Sequence, residues 1–353
     1  KTARMPNFMS GEQFYRYRLS KFMTPVDNSA NPTYQIANQN DFGMAMIQQE
    51  ANDYSSPFVL KEMLRNGETY NWPNLVTKDG EQQNHYIAVN GTGGRTSYHF
   101  GVGYSREKGI YSGDDQKKVN FKGSLDTKIN DIVSAGFSVN LARIDNSYAN
   151  DEAIKLAYRV NPFMRPYDKD GNINHYPGAK GTMGTDNWQF SDFINPLDIM
   201  KNTSHKRETW RMLGNLYLKF DIIKGLNFKT TFSPNYTNYR DGQFSGYINP
   251  ETQKTYDDKD ASTSTATVKN AKSLDWTWDN IINYNTTIAK DHSINFMGLV
   301  SWSSWSSENY SWVANGVLEN TDWWNMNSGE FNKDDSGTGY IKHTMLSYAM
   351  RAN

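Results

Sequence analysis

From Asn84 onward, hydrophobic and polar residues alternate with a period of two. In 210–220 the even positions read Trp210, Met212, Gly214, Leu216, Leu218 and Phe220, and the odd ones Arg211, Leu213, Asn215, Tyr217 and Lys219. The same alternation carries Tyr98, Phe100, Val102 and Tyr104, then Val119, Phe121 and Leu125, then Val133, Phe137, Val139 and Leu141. It returns at Leu226, Phe228 and Phe232, at Leu274, Trp276, Trp278, Ile282 and Tyr284, and at Ile294, Phe296, Val300 and Trp302. Successive side chains of a strand point to opposite faces, so the pattern predicts about nine two-faced strands. Residues 1–83 follow no such period. There Ser10 and Gln13 have capping-box spacing before a helix expected over 14–22. Ser56-Pro57 predicts a second short helix over 58–65, stopped by Gly67.

The connections sharpen the picture. Short links are expected at 91–94, 129–132, 222–225 and 289–292, and long polar ones at 106–117, 146–205, 241–271 and 305–338. Short and long alternate, which places all short links at one end of the sheet and all long ones at the other. Long strands with short turns on one side and long loops on the other are the pattern of an outer-membrane β-barrel. A soluble sandwich or propeller with one wet face alternates equally well. Stretches such as 206–221 and 271–288 exceed the usual strand of about 5–6 residues and favour the barrel. Met212, Leu216, Leu218 and Phe220 are then assigned to lipid, and Arg211, Asn215, Tyr217 and Lys219 to the lumen.

Composition agrees. Aromatic residues make up 14% of 353, too many for a disordered chain. No apolar run approaches the roughly 18 residues of a spanning helix. Lys and Arg total 37 against 38 Asp and Glu, which leaves no electrostatic footprint for nucleic acid. With no cysteine, disulfides and thiolate metal sites are excluded. The chain lacks an initiating Met and a signal peptide, and 347–353 reads as an interrupted strand, so a segment of something longer is expected.

Little covalent chemistry is legible, and no enzyme is expected. His85, His99, His175, His205, His292 and His343 are scattered without metal-ligand spacing. The glycines at 91–94 and 101–103 neither open a helix nor precede a Gly-Lys-Ser/Thr. Asp168-Lys-Asp-Gly-Asn172 resembles the opening of a calcium loop but has Ala179 where the closing Glu belongs, so a hairpin tip is expected. The acidic pairs 114–115, 257–258 and 334–335 read as solvated loop charges. Trp210, Trp276, Trp278 and Trp302 fall on the apolar parity, where an interfacial girdle belongs. Trp188, Trp305, Trp312, Trp323 and Trp324, with Tyr310, fall in expected long loops. Of these, Trp188, Tyr310, Trp312, Trp323 and Trp324 are candidates to stack on a substrate, the alternative being that they pack the loops together.

Residues 84–91 (Asn-His-Tyr-Ile-Ala-Val-Asn-Gly), 96–110 and 118–125 closely resemble a hallmark stretch of the SusC/RagA family of TonB-dependent outer-membrane transporters of Bacteroidetes. The likeness continues through 132–141, and 9–14, 71–75 and 346–353 also look like family segments. Asn71 stands where the family more often has Asp. The resemblance implies an all-β fold, a segment of a 22-stranded antiparallel transmembrane barrel with short helices in its extracellular loops. Residues 1–83 would be the end of an early strand plus a long extracellular loop, and 84–353 the barrel strands. The plug and TonB-contacting part would precede Lys1, and the closing strands would follow Asn353. It further implies a SusD-like surface lipoprotein, the TonB complex and outer-membrane lipid as partners, no cofactor, and import of a glycan or oligosaccharide, or of a peptide, in polysaccharide utilisation and nutrient uptake. The alternative from another class is a secreted carbohydrate-binding or glycan-degrading β-protein.

Overall fold

The computed structural model describes residues 69–160, 164–168, 170–174, 194–246, 264–288, 292–318 and 321–353, together with residues 9, 10, 13 and 162 and the backbone of two short strands. Those strands, β1 (Met23–Pro25) and β2 (Tyr34–Ile36), pair antiparallel. The capping box is present: the backbone N–H of Gln13 donates to Ser10 Oγ at 3.2 Å, and that of Ser10 to Gln13 Oε1 at 2.8 Å. The helix expected over 58–65, and 14–22 beyond the cap, lie outside the described residues.

Nine long strands build one sheet: β3 (Glu81–Gly93), β4 (Thr96–Lys108), β5 (Asp115–Lys128), β6 (Val133–Ser147), β7 (Thr203–Ile223), β8 (Leu226–Ser245), β9 (Thr265–Ile288), β10 (His292–Asn315) and β12 (Gly337–Ala352). Each pairs antiparallel with its neighbours in sequence, and the two-residue β11 (Glu330–Phe331) sits beside β12 on the same edge of β10. The sheet is open, with β3 at one edge and β12 at the other. This meander and its antiparallel strands agree with the expected barrel segment.

At the short-link end, β3 turns into β4 at Gly94-Arg95 and β7 into β8 at Lys224-Gly225. Gly225 is irreplaceable by its position: φ is +89°, and a Cβ there would stand 2.1 Å from the Asn285 carbonyl oxygen. At the other end the strands run further than the hydrophobic pattern suggested. The β4–β5 link shrinks to 109–114, β8 reaches Ser245, β9 starts at Thr265, and β10 continues to Asn315. Trp305, Tyr310 and Trp312, expected in a loop, therefore belong to β10.

Between β6 and β7 stand two seven-residue helices, α2 (Asp151–Ala157) and α3 (Pro196–Asn202), which pack with α1 (Trp72–Val76). Each begins on an asparagine whose side chain accepts from the first turn: Asn71 from Asn74, Asn150 from Ala153, Asn195 from Leu197. The buried apolar clusters gather at this end of the molecule. Trp72 packs with Val160 and Met164, Ala153 with Leu156, Ile194 and Ile199, and Phe244 with Ala266, Val268, Ala314, Val317 and Trp323. Asn195, fully buried, ties the helical cap together by donating to the carbonyls of Pro166 and Asn174, both at 2.8 Å. The middle of the sheet has no such core. Its side chains stand half-exposed on both faces.

Candidate functional site

Directly opposed residues of an antiparallel sheet share a face, so the register sorts the whole wall. One rung runs Tyr98, Leu125, Phe137, Leu216, Phe232, Trp278, Trp302, Leu346 across eight strands. Another runs Ile87, Val102, Phe121, Leu141, Met212, Tyr236, Leu274. All are apolar or aromatic. The rung on the opposite face reads Asn90, His99, Ser124, Ser138, Asn215, with Asn215 Nδ2 donating to Ser233 Oγ at 2.9 Å, then Thr277 and Ser303. Leu213, Ile281 and Leu299 are apolar exceptions on this polar face. Trp210, Trp276, Trp278 and Trp302 lie on the apolar face, Trp276 and Trp302 edge to face at 5.7 Å.

The apolar face has a sharp upper border. On β7 it extends from Phe220 to Trp210 and gives way to Glu208 and Lys206. At about 3.3 Å per residue and a tilt near 40°, that span is about 25 Å tall, the height of the apolar band of a transmembrane barrel. Above it, towards the long loops, ion pairs cross from strand to strand: Glu81–Lys108 at 2.6 Å, Arg106–Asp115 at 2.6 Å, Arg143–Glu208 at 2.7 Å and Lys272–Glu308 at 2.5 Å.

On the polar face beyond that border, the ends of β7 and β8 build a compact charged cluster. Asp241, 1% exposed, accepts from Arg207 Nε at 2.7 Å, lies 3.0 Å from His205 Nε2, and accepts from Gln243 Nε2 at 3.2 Å. The Arg207 guanidinium also lies 4.9 Å from the Tyr239 ring and 5.9 Å from that of Tyr148, which tilts against His205 at 4.4 Å. Burial pushes the Asp241 carboxyl up, but the hydrogen bonds from His205 and Arg207 outweigh it and hold it below its ordinary range. A cleft beside the cluster is bordered by Tyr148, Asn150, Thr203, His205, Gln243 and Thr267. Its aromatic, hydroxyl and amide groups suit hydrogen-bonding and stacking of a polar solute. The hydrogen bonds of its His205 run to Asp241 and Gln243. Among the described residues no group of His, Asp and Glu could hold a metal ion.

The candidate residues separate. Trp188 lies outside the described residues. Tyr310 and Trp312, 5.3 Å apart, are on the apolar parity of β10, whereas Trp305 is on the polar one, stacked on His343 at 5.5 Å. Trp323 is 4% exposed and packs over Gly242, where a Cβ would stand 2.2 Å from its ring; Trp324, beside it, is 65% exposed. Gly242 shares the apolar parity, so this pair also sits on the outer side of the wall. The cluster of His205, Arg207 and Asp241 was not singled out by sequence. Asp168 accepts from the backbone N–H groups of Asp170 and Asn172 beside the Tyr167–Ile173 bridge, which makes the expected hairpin tip.

An open antiparallel wall with one apolar face, one polar face and its loops at one end is a portion of a transmembrane β-barrel. No protein-family model matches the chain. The chain is similar to TonB-dependent receptor P26 of Formosa agariphila, 23% identical over 288 residues that cover 80% of this chain and 27% of that protein. It is likewise similar to TonB-dependent receptor P39 of the same organism, 25% identical over 75% of this chain and 24% of that protein. Among solved structures, the RagAB peptide transporter matches with a TM-score of 0.68 at 15% identity, over 98% of this chain and 38% of that one. The fold is thus that of the RagAB barrel, and the resemblance to SusC/RagA-like TonB-dependent transporters holds in sequence and in fold. The chain spans about a quarter of the length of these two receptors.

Proposed function

We propose that the chain forms part of the wall and extracellular mouth of an outer-membrane, TonB-dependent importer. The observation that carries this reading is the two-faced wall: an apolar band about 25 Å tall backed by a hydroxyl- and amide-rich face. Likeness to proteins named TonB-dependent receptors supports the energy source. The polar face lines the path, and the Tyr148–His205–Arg207–Asp241 cluster at its upper end meets the substrate. A SusD-like surface lipoprotein closes the mouth, and TonB acts on a plug filling the barrel. The role is transport, with no bond made or broken. A secreted sandwich fits less well, because among the described residues no second sheet covers the apolar face.

The substrate is a glycan or oligosaccharide, whose hydroxyls the Ser, Thr and Asn side chains of the lumen would meet. A peptide is the second reading, favoured by the RagAB match. Uptake of labelled oligosaccharides and labelled peptides by cells producing the full-length protein separates the two. Uptake should stop when the proton-motive force is collapsed, and the protein should need detergent for extraction. Unchanged uptake without TonB, or extraction without detergent, defeats the reading.

A further inference from the structure

On the apolar side of the wall, directly above the band, the ends of β5 to β8 open a cleft against the Trp323–Trp324 pair. Three exposed cations converge there: Lys117, Lys206 and Arg240. Lys206 Nζ stands 5.5 Å from the Trp323 ring, and the Arg240 guanidinium 4.9 Å from that of Trp324. Of the nearby carboxylates, Asp115 pairs with Arg106, while Asp145 and Glu208 share Arg143, which leaves one negative charge of that trio uncancelled. Asp322 lies near enough to Lys206 to offset part of its charge, although burial pushes the Asp322 carboxyl up. Among the described residues no carboxylate lies within ion-pair distance of Lys117, Lys206 or Arg240. The cleft therefore presents a net excess of positive charge and an exposed indole, at the level where a membrane's headgroups would lie.

We propose that this cleft seats the phosphorylated sugar headgroup of an outer-leaflet glycolipid, with its acyl chains lying on the apolar band below. The cations meet the phosphate, and Trp324 stacks on the sugar ring. Each half of such a lipid has its counterpart within one strand: on β7, Lys206 for the headgroup, and Trp210, Met212 and Leu216 for the chains. This inference rests on the wall facing a bilayer, as proposed above.

The test uses the full-length protein, purified in detergent and exposed to lipid A, to its enzymatically dephosphorylated form and to phosphatidylcholine, with retained lipid counted by native mass spectrometry. Lipid A should be retained, and the dephosphorylated form about tenfold less. The triple variant Lys117→Ala/Lys206→Ala/Arg240→Ala should lose retention about as much, while Lys342→Ala, on the same face of β12 but outside the cleft, should not. Heat-modifiable migration on gels verifies that each variant is folded. Equal retention of both lipid forms, an unaffected triple variant, or an equal loss in Lys342→Ala overturns the proposal. Protein that inserts into lipid and still transports, yet shows any of these, removes this inference alone. Protein that fails to insert removes the barrel reading with it.

Discussion

Replacing Leu216 by Arg, read together with lipid-phase labelling of the same strand, separates a membrane-facing wall from a soluble sheet. Leu216 is 51% exposed and sits in the rung of Phe137 and Phe232, near the middle of the band between Trp210 and Phe220. A charged Arg facing lipid near the midplane costs about 2–4 kcal/mol. The next residue gives the internal control. Asn215 points to the polar face, and Asn215→Arg sacrifices one hydrogen bond to Ser233, worth about 1 kcal/mol. The difference is about 2 kcal/mol, roughly a thirtyfold change in the folded-to-unfolded ratio. The assay is the folded fraction of full-length protein in lipid vesicles, read on unheated gels across a urea series. A soluble sheet would punish Leu216→Arg as well, so a second readout accompanies it. Because the chain has no cysteine of its own, single cysteines at 216 and 218, against 215 and 217, can be labelled from the lipid phase. Labelling of all four alike, or equal losses for the two Arg variants, refutes the face assignment.

Three other perturbations follow from the geometry. Gly225→Ala forces a left-handed turn on a residue with a Cβ and drives that Cβ into the Asn285 carbonyl, so it should lower stability by about 1–3 kcal/mol in urea, whereas Gly337→Ala, with open space around it, should change little. Asp241 has its folded pKa depressed, so its contribution is present above the ordinary 3.8 and is lost as pH falls through the folded value; melting curves from neutral to acid should show this loss, and Asp241→Asn should abolish that share of it. Trp323→Ala empties a buried site and should loosen 316–329 to hydrogen exchange at a cost of about 3–5 kcal/mol, while Trp324→Ala, at an exposed ring, should cost under about 1 kcal/mol.

Much of the wall was legible because one apolar and one polar face impose a period of two on each strand, which is why β4 to β7 stand out residue by residue. The signal fades where the apolar band ends. On β10 the even positions after Trp302 become Ser304, Ser306 and Glu308, so the apolar parity is lost, while the ladder to β9 continues unbroken to Asn315. The unbroken hydrogen-bond ladder carries those strand ends, and it leaves no mark on hydropathy. This is how Trp305, Tyr310 and Trp312 came to be expected in a loop. Helices α2 and α3 did leave a signal that went unused: Asn150 before two acidic residues, and Asn195 before Pro196. The Arg207–Asp241 pairing was hidden for a different reason. Counting outward from the Lys224-Gly225 turn places Arg207 opposite Gly242, and only the register shift between Asp221 and Ile223 brings Asp241 across from it.

Because every long strand pairs only with its neighbours in sequence, the wall is a chain of hairpins, and its two kinds of connection differ in what they demand of assembly. The tight turns at Gly94-Arg95 and Lys224-Gly225 bring strands together almost without loss of freedom. Joining the β5–β6 hairpin to the β7–β8 hairpin means closing the whole of 148–202, which costs about 3 kcal/mol more than a two-residue turn. The helical cap, with Asn195 at its centre and α1 to α3 packed together, offsets part of that cost through the hydrogen bonds and packing among its described residues. The long links thus serve as assembly joints as well as surface, and a deletion that spares every strand should still slow the hairpins in finding one another.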